Sequence, residues 1–148
     1  MTLMLATDLR VTADHATFAL SEVKRGIIPA NGGTQRLPAQ LPHAIAMELL
    51  LIGDSIDAQT AARWGLVNRV VPADQVMATA IELARRVAAN APLAVQAIKE
   101  LALRGQQADL TAGLRFEQLV QNILQRTEDA AEGRLAFAEK RSPRFTGN

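Results

Sequence analysis

From Ala44 to Arg141 the apolar residues recur at helical spacing, one segment after another, whereas residues 1–43 alternate and are broken by prolines and glycines. That change of period constrains the fold more than any single residue does. The first stretch holds Pro29, Pro38 and Pro42 together with Gly26, Gly32 and Gly33. In it, Leu9, Val11 and Ala13 alternate with Arg10, Thr12 and Asp14, the pattern of a half-buried strand. Thr17–Leu20 predicts a second short strand, Ser21–Arg25 favours no single conformation, and Asn31-Gly32-Gly33 marks a turn. The expected class is α/β with helices dominating, divided into a strand-bearing segment, 1–43, and a helical region, 44–148.

The helices have legible ends. Ala44–Ile52 is apolar on most sides, which predicts a buried helix stopped by Gly53. Asp57 is placed to cap a short helix over Ala58–Trp64 that ends at Gly65. Leu66–Val71 is a short extended segment closed by Pro72. Val76, Ala80, Leu83, Ala84 and Val87 share one face of a helix reaching about Asn90, and Pro92 suits the first turn of the next. Leu110–Leu124 carries a further stripe, Thr127 can cap the last helix, and Ser142–Asn148 should be loop.

Composition removes several classes of function. Of 148 residues, 49% are hydrophobic and 21% charged, a balance that supports a folded core rather than a disordered chain. Sixteen Lys and Arg against fifteen Asp and Glu leave a net charge of +1, without the broad basic footprint of a nucleic-acid binder. There is no Cys, and the two His, His15 and His43, cannot supply a three-histidine set, so no metal site is expected. The longest apolar run, Ala44–Leu51, contains Glu48 and falls far short of the ~20 residues that span a bilayer. No secretory signal opens the chain, and the expected location is the cytoplasm.

Candidate chemistry is sparse. Glu22 lies beside Lys24 and Arg25 just before a glycine, where a carboxylate can act as general base if its surroundings tune it, or can simply be a solvated member of a mixed-charge turn. Asn31-Gly32-Gly33-Thr34 can present backbone N–H groups at a helix start, or can be only a turn. His15 beside Asp14 reads as a surface turn rather than a dyad, because neighbours in a strand point to opposite faces. His43 reads as a cap or surface residue and Trp64 as core filler. Lys140 and Arg141 complement a helix end or, alternatively, contact phosphate.

The order of the motifs says more than any one of them. Thr7-Asp8-Leu9-Arg10, Ala16-Thr17-Phe18, Glu22, Gly26-Ile27-Ile28-Pro29 and Gly32-Gly33-Thr34-Gln35-Arg36-Leu37 come first. They are followed by Gly53-Asp54, Gly65-Leu66-Val67-Asn68, Ala89-Asn90-Ala91-Pro92, Glu132-Gly133 and Phe137-Ala138-Glu139-Lys140-Arg141. In this order the chain resembles the enoyl-CoA hydratase (crotonase) family along its whole length. The resemblance implies the last ββα turn of a spiral fold followed by a helical trimerisation region, with acyl-CoA thioesters as substrate and no separate cofactor. It also implies two backbone N–H groups that polarise the thioester carbonyl, and two glutamates that hold and activate the added water. Glu22 falls on the second glutamate, and Ala30 where a backbone N–H helps to hold that water. Phe137 and Lys140 match residues that contact the adenine and phosphate of CoA, often across a subunit boundary. On a helix, residues three apart share a face, which suits them to one ligand.

The departures from the family pattern are equally specific. The resemblance is to the C-terminal half of the family, without the segments that bind pantetheine and supply the oxyanion donors. Counting back from Glu22 puts Thr2 where the first glutamate belongs, and Ser21 replaces the usual preceding proline. The expectation is therefore an enoyl-CoA hydratase/isomerase family chain of fatty-acid metabolism, truncated and inactive by itself, and a homo-oligomer, either a trimer or a dimer of trimers. The alternatives are one half of a split enzyme completed by a partner chain carrying the N-terminal half, or a non-catalytic oligomerisation or CoA-binding module. Because some isomerases of the family work with one glutamate, isomerisation is the residual chemistry to look for first.

Overall fold

In a computed structural model, which describes residues 1–105 and 108–148, a 3-10 turn (Met4–Ala6) precedes two short strands, β1 (Val11–Ala13) and β2 (Thr17–Phe18). A tight 3-10 segment (Ser21–Arg25) then leads to helices α1 (Gly33–Arg36) and α2 (His43–Leu51). Next come β3 (Ile56–Asp57), α3 (Ala58–Arg63) and β4 (Arg69–Val71). The remaining helices are α4 (Val76–Ala88), α5 (Pro92–Gly105), α6 (Leu110–Leu124) and α7 (Glu128–Glu139). The helix-dominated α/β class follows directly. Two of the caps are those the residue types predict: Asp57 accepts the Thr60 N–H at 2.7 Å, and Thr127 Oγ1 accepts the Ala130 N–H at 3.1 Å.

Packing divides the chain into Met1–Glu82 and Leu83–Asn148, with α4 starting in the first unit and ending in the second. This division and the change of composition after residue 43 are different boundaries. The reason is pairing: β1 runs parallel to β4, with Val11 opposite Arg69, and β2 runs antiparallel to β3, with Phe18 opposite Ile56. Both later strands come from beyond residue 43.

Within the first unit, Leu5, Leu20, Leu37, Leu41, Leu49, Leu50 and Leu66 form the buried core, with Ala46 and Ala61 where elements approach closely. Trp64 packs partly buried against this core, as its position at a helix end suggests. A fully buried Leu is worth roughly 1.5–3 kcal/mol relative to an exposed one, so this cluster dominates the unit's stability. Arg10 ties its edge together. Its guanidinium donates to Leu66 O (2.9 Å), Thr7 O (2.7 Å) and Gln40 Oε1 (2.7 Å), and its own N–H donates to Asn68 Oδ1 (2.7 Å). Burial pulls the guanidinium below its ordinary pKa, against the opposing pull of Asp8.

The second unit is built differently. Helix α5 packs on α6, yet Ala136 and Asp129 are its buried residues. Asp129 accepts the N–H groups of Thr146 (2.7 Å) and Gly147 (2.9 Å), which straps residues 142–148 onto α7. Glu132 takes both Nη atoms of Arg141 (2.6 and 2.9 Å) and the Arg144 N–H (2.8 Å). The residues beyond α7 are loop, as expected, but a fastened one.

Candidate active site

Glu22 sits in the 3-10 segment between β2 and the turn at Gly26. The segment closes on itself: the Gly26 N–H reaches Val23 O and the Ile27 N–H reaches Glu22 O, each at 3.2 Å. Because Leu20 is buried and Lys24 exposed, the side chain between them lies at the edge of the core. Glu22 Oε2 is buried there and accepts no hydrogen bond, the sole such side-chain atom among the described residues. A buried carboxylate oxygen without a donor is rare, since desolvation without a partner is unfavourable, and it leaves an acceptor position open to a ligand.

Downstream, Pro29 is buried and Ala30 exposed. Among the described residues nothing accepts the Ala30 N–H, while Ala30 O receives the Gly33 N–H at 3.5 Å. A Cβ at Gly33 would lie 2.8 Å from Pro29 Cβ and 3.0 Å from Thr2 Cγ2. Glycine is therefore required for this approach, and Thr2 is brought against the turn that carries Ala30. Arg36 Nη1 donates to Asn31 O at 2.9 Å and holds the turn from its other side. The turn opens only the four-residue α1, too short for a helix-terminus anion site, so that alternative for Asn31–Thr34 falls away.

Phe137 and Lys140 are placed at the end of α7. The Phe137 ring is 87% exposed, so within the chain it does not pack in a helical core. Lys140 lies past the last helical residue in the left-handed region, with φ at 55°, and its N–H donates to Phe137 O at 3.3 Å. Helical spacing therefore does not put Phe137 and Lys140 on one face, because the chain turns at Lys140. Arg141 is neutralised by Glu132 and Glu139, whose hydrogen bonds raise its pKa further, so it is a fastening rather than a free phosphate ligand. The hydrogen bonds from the Arg141 guanidinium, with that of the Arg144 N–H, lower the Glu132 pKa to about 2.

The remaining candidates reduce to structure. His15 faces Asp14 at 3.4 Å with both side chains largely exposed, and His43 begins α2 at the surface, with Pro42 at the cap. No group of three or more His, Asp or Glu that could hold a metal exists among the described residues, and no helix there is long and apolar enough to cross a membrane. The second unit also contains an open recess of about 320 Å³ walled by Glu128, Asp129, Glu132, Arg141, Arg144 and Thr146. It is the inner face of the tail fastening. Sequence reasoning missed this network because its partners are nine to eighteen residues apart and follow no helical period.

Comparison with known proteins places the chain. The model of the family described as enoyl-CoA hydratase/isomerase matches residues 1–148. A carnitinyl-CoA dehydratase of Proteus mirabilis is 44% identical across 98% of the chain and 57% of its own length. An (E)-benzylidenesuccinyl-CoA hydratase of Thauera aromatica is 42% identical across 97% of the chain and 56% of its own length. The crystal structure of an enoyl-CoA hydratase from Mycobacterium tuberculosis superposes with a TM-score of 0.94 at 40% identity, over 99% of the chain and 58% of the solved one. The chain thus spans somewhat more than half the length of the relatives it matches.

Proposed function

The chain belongs to the enoyl-CoA hydratase/isomerase family, and from that premise we propose that it acts on acyl-CoA thioesters, with Glu22 as its acid/base residue. The observation that carries this reading is the buried, unpartnered Oε2 of Glu22. In hydration, water adds across the double bond next to the thioester and a proton is exchanged with the acyl carbon; a carboxyl with one uncommitted oxygen can hold the water or move that proton. Ala30 offers a backbone N–H from the neighbouring turn. Phe137 and Lys140 bind the adenine and a phosphate of CoA.

We further propose that the chain corresponds to the C-terminal half of its relatives, works as a trimer or dimer of trimers, and does not turn over alone. Thr2, which falls where the family resemblance puts the first glutamate, has no carboxyl to exchange a proton. A partner chain supplying the other half is the direct way to complete such a site. A purely non-catalytic CoA-binding or assembly module is the competing reading, favoured by the outward-facing Phe137 ring.

Crotonyl-CoA hydration measured for the chain alone, and then mixed with a chain carrying the first part of a relative, separates these readings. No turnover alone, turnover on mixing and its loss in Glu22→Gln are the expected results. A rate on the order of 10 s⁻¹ from the chain alone contradicts the proposed incompleteness. Undiminished activity in Glu22→Gln removes Glu22 from the chemistry, and inertness under mixing favours the module. For the CoA contact, calorimetry should find tighter binding of CoA than of dephospho-CoA, with Lys140→Ala erasing the difference. Equal affinities would leave Lys140 a helix-end residue.

A further inference from the structure

The antiparallel register of β2 and β3 pairs Thr17 with Asp57 and Phe18 with Ile56, and just beyond that ladder the chain on one side reaches Ser21 and on the other Gly53. Gly53 is buried with φ at +72°, and a Cβ on it would lie 2.9 Å from Val23 Cγ1, 3.3 Å from Leu20 O and 3.3 Å from Ser21 Cα. Those three atoms bracket Glu22 along the chain. On the other side of the same contact, Asp54 forms an ion pair with Lys24. The segment carrying Glu22 thus rests on a residue that has no side chain and is tied to the next one by charge. Five residues of 3-10 helix are held by few internal bonds, so their path depends on what they rest against.

We propose that Gly53 is a positioning residue for Glu22: its bare Cα lets residues 20–23 settle against the loop after α2, which fixes where the Glu22 carboxyl sits. This rests on the reading of Glu22 as the acid/base group. A side chain at position 53 displaces the segment and moves the carboxyl, even where the rest of the unit remains folded. The left-handed φ alone does not explain the requirement, because Gly65 has nearly the same φ, +79°, and nothing within 4 Å of a Cβ placed there.

The test is the titration of the Glu22 side-chain carboxyl carbon, followed by NMR in the chain labelled at glutamate and assigned with Glu22→Gln. Gly53→Ala should move its midpoint beyond the error of the fit, while Gly65→Ala, with similar backbone strain, leaves it in place. Adding Val23→Ala to Gly53→Ala removes the closest clash and should return the midpoint most of the way. Lys24 and Arg25 on the segment, and His43, Glu48 and Asp54 on α2 and its loop, are unaltered in these variants, so a shift reports geometry rather than a changed charge. Should Gly53→Ala not fold, Val23→Ile presses on the same contact from the opposite side and carries the test with the same expectation. An unmoved midpoint in the folded variant, or equal movement in Gly65→Ala, overturns the proposal. If instead the midpoint moves but hydration survives Glu22→Gln, the positioning stands and the role assigned to Glu22 fails.

Discussion

The two units of this chain solve the burial problem in opposite ways. In Met1–Glu82, leucines from strand edges, loops and helices converge on one core, and the sequence-distant pairs β1–β4 and β2–β3 close around it. In Leu83–Asn148 the helices are longer, and Ile98, Leu110, Leu114, Phe116, Ile123 and Phe137 are all more than half exposed; the first unit exposes Leu3, Ile27, Ile28, Leu51, Ile52 and Met77 to the same degree, but over a buried core that has no counterpart among the described residues of the second. The fastening of the second unit is polar, through Asp129, Glu132 and Arg141. Exposed apolar side chains with almost nothing buried beneath them mark a region built to meet something else, whereas a closed core marks one that can hold a carboxylate in place. Glu22 belongs to the first kind of region, and Phe137 to the second.

The contrast breaks first under core truncation. Leu66→Ala, at a side chain 1% exposed, should lower stability in urea by about 2–5 kcal/mol. Phe137→Ala, although it removes a larger side chain, leaves no cavity within the chain and should act only through assembly, changing the stability of the dissociated chain by no more than about 0.5 kcal/mol. Comparable losses would mean that the second unit has a core of its own after all. Next in size is Arg10→Ala, which leaves the carbonyls of Leu66 and Thr7 without their donor and should cost about 2 kcal/mol in the same assay. An effect within error would reduce Arg10 to surface decoration.

The smallest effect sharpens the other side of the comparison. Glu132 is held at about 2, below its ordinary 4.5, chiefly by Arg141. A carboxylate depressed by folding stabilises the folded state above its ordinary value and loses that contribution as pH falls towards the folded one. The Arg144 N–H should therefore stay protected from hydrogen exchange above pH 4.5 and lose protection between there and about 2. Protection already lost above pH 4.5 would show that Glu132 does not fasten the tail.

Much of the architecture was legible from the residues, for reasons that also explain what was not. Helical period and cap chemistry located α2 through α7 within a few residues, since both are local signals; Gly53 marked the end of α2 because a left-handed residue ends a helix. Strand pairing was hidden because β1 meets β4 across more than fifty residues and each strand is only two or three residues long. Ser21–Arg25 was ambiguous for a related reason: its conformation is set by what lies across from it at Gly53. Residue type alone did not distinguish Glu22 from any mixed-charge glutamate. Its resemblance to a family position singled it out, and its buried oxygen is a property of the fold. For Lys140 the helical spacing misled, because the left-handed turn at its own position ends α7.

The contrast implies that the first unit is held together by its own core while the exposed apolar side chains of the second are covered by further copies of the chain. Light scattering over a dilution series tests it most directly. The account predicts a species three or six times 15.9 kDa that persists on dilution. A monodisperse 15.9 kDa particle at every concentration would contradict it.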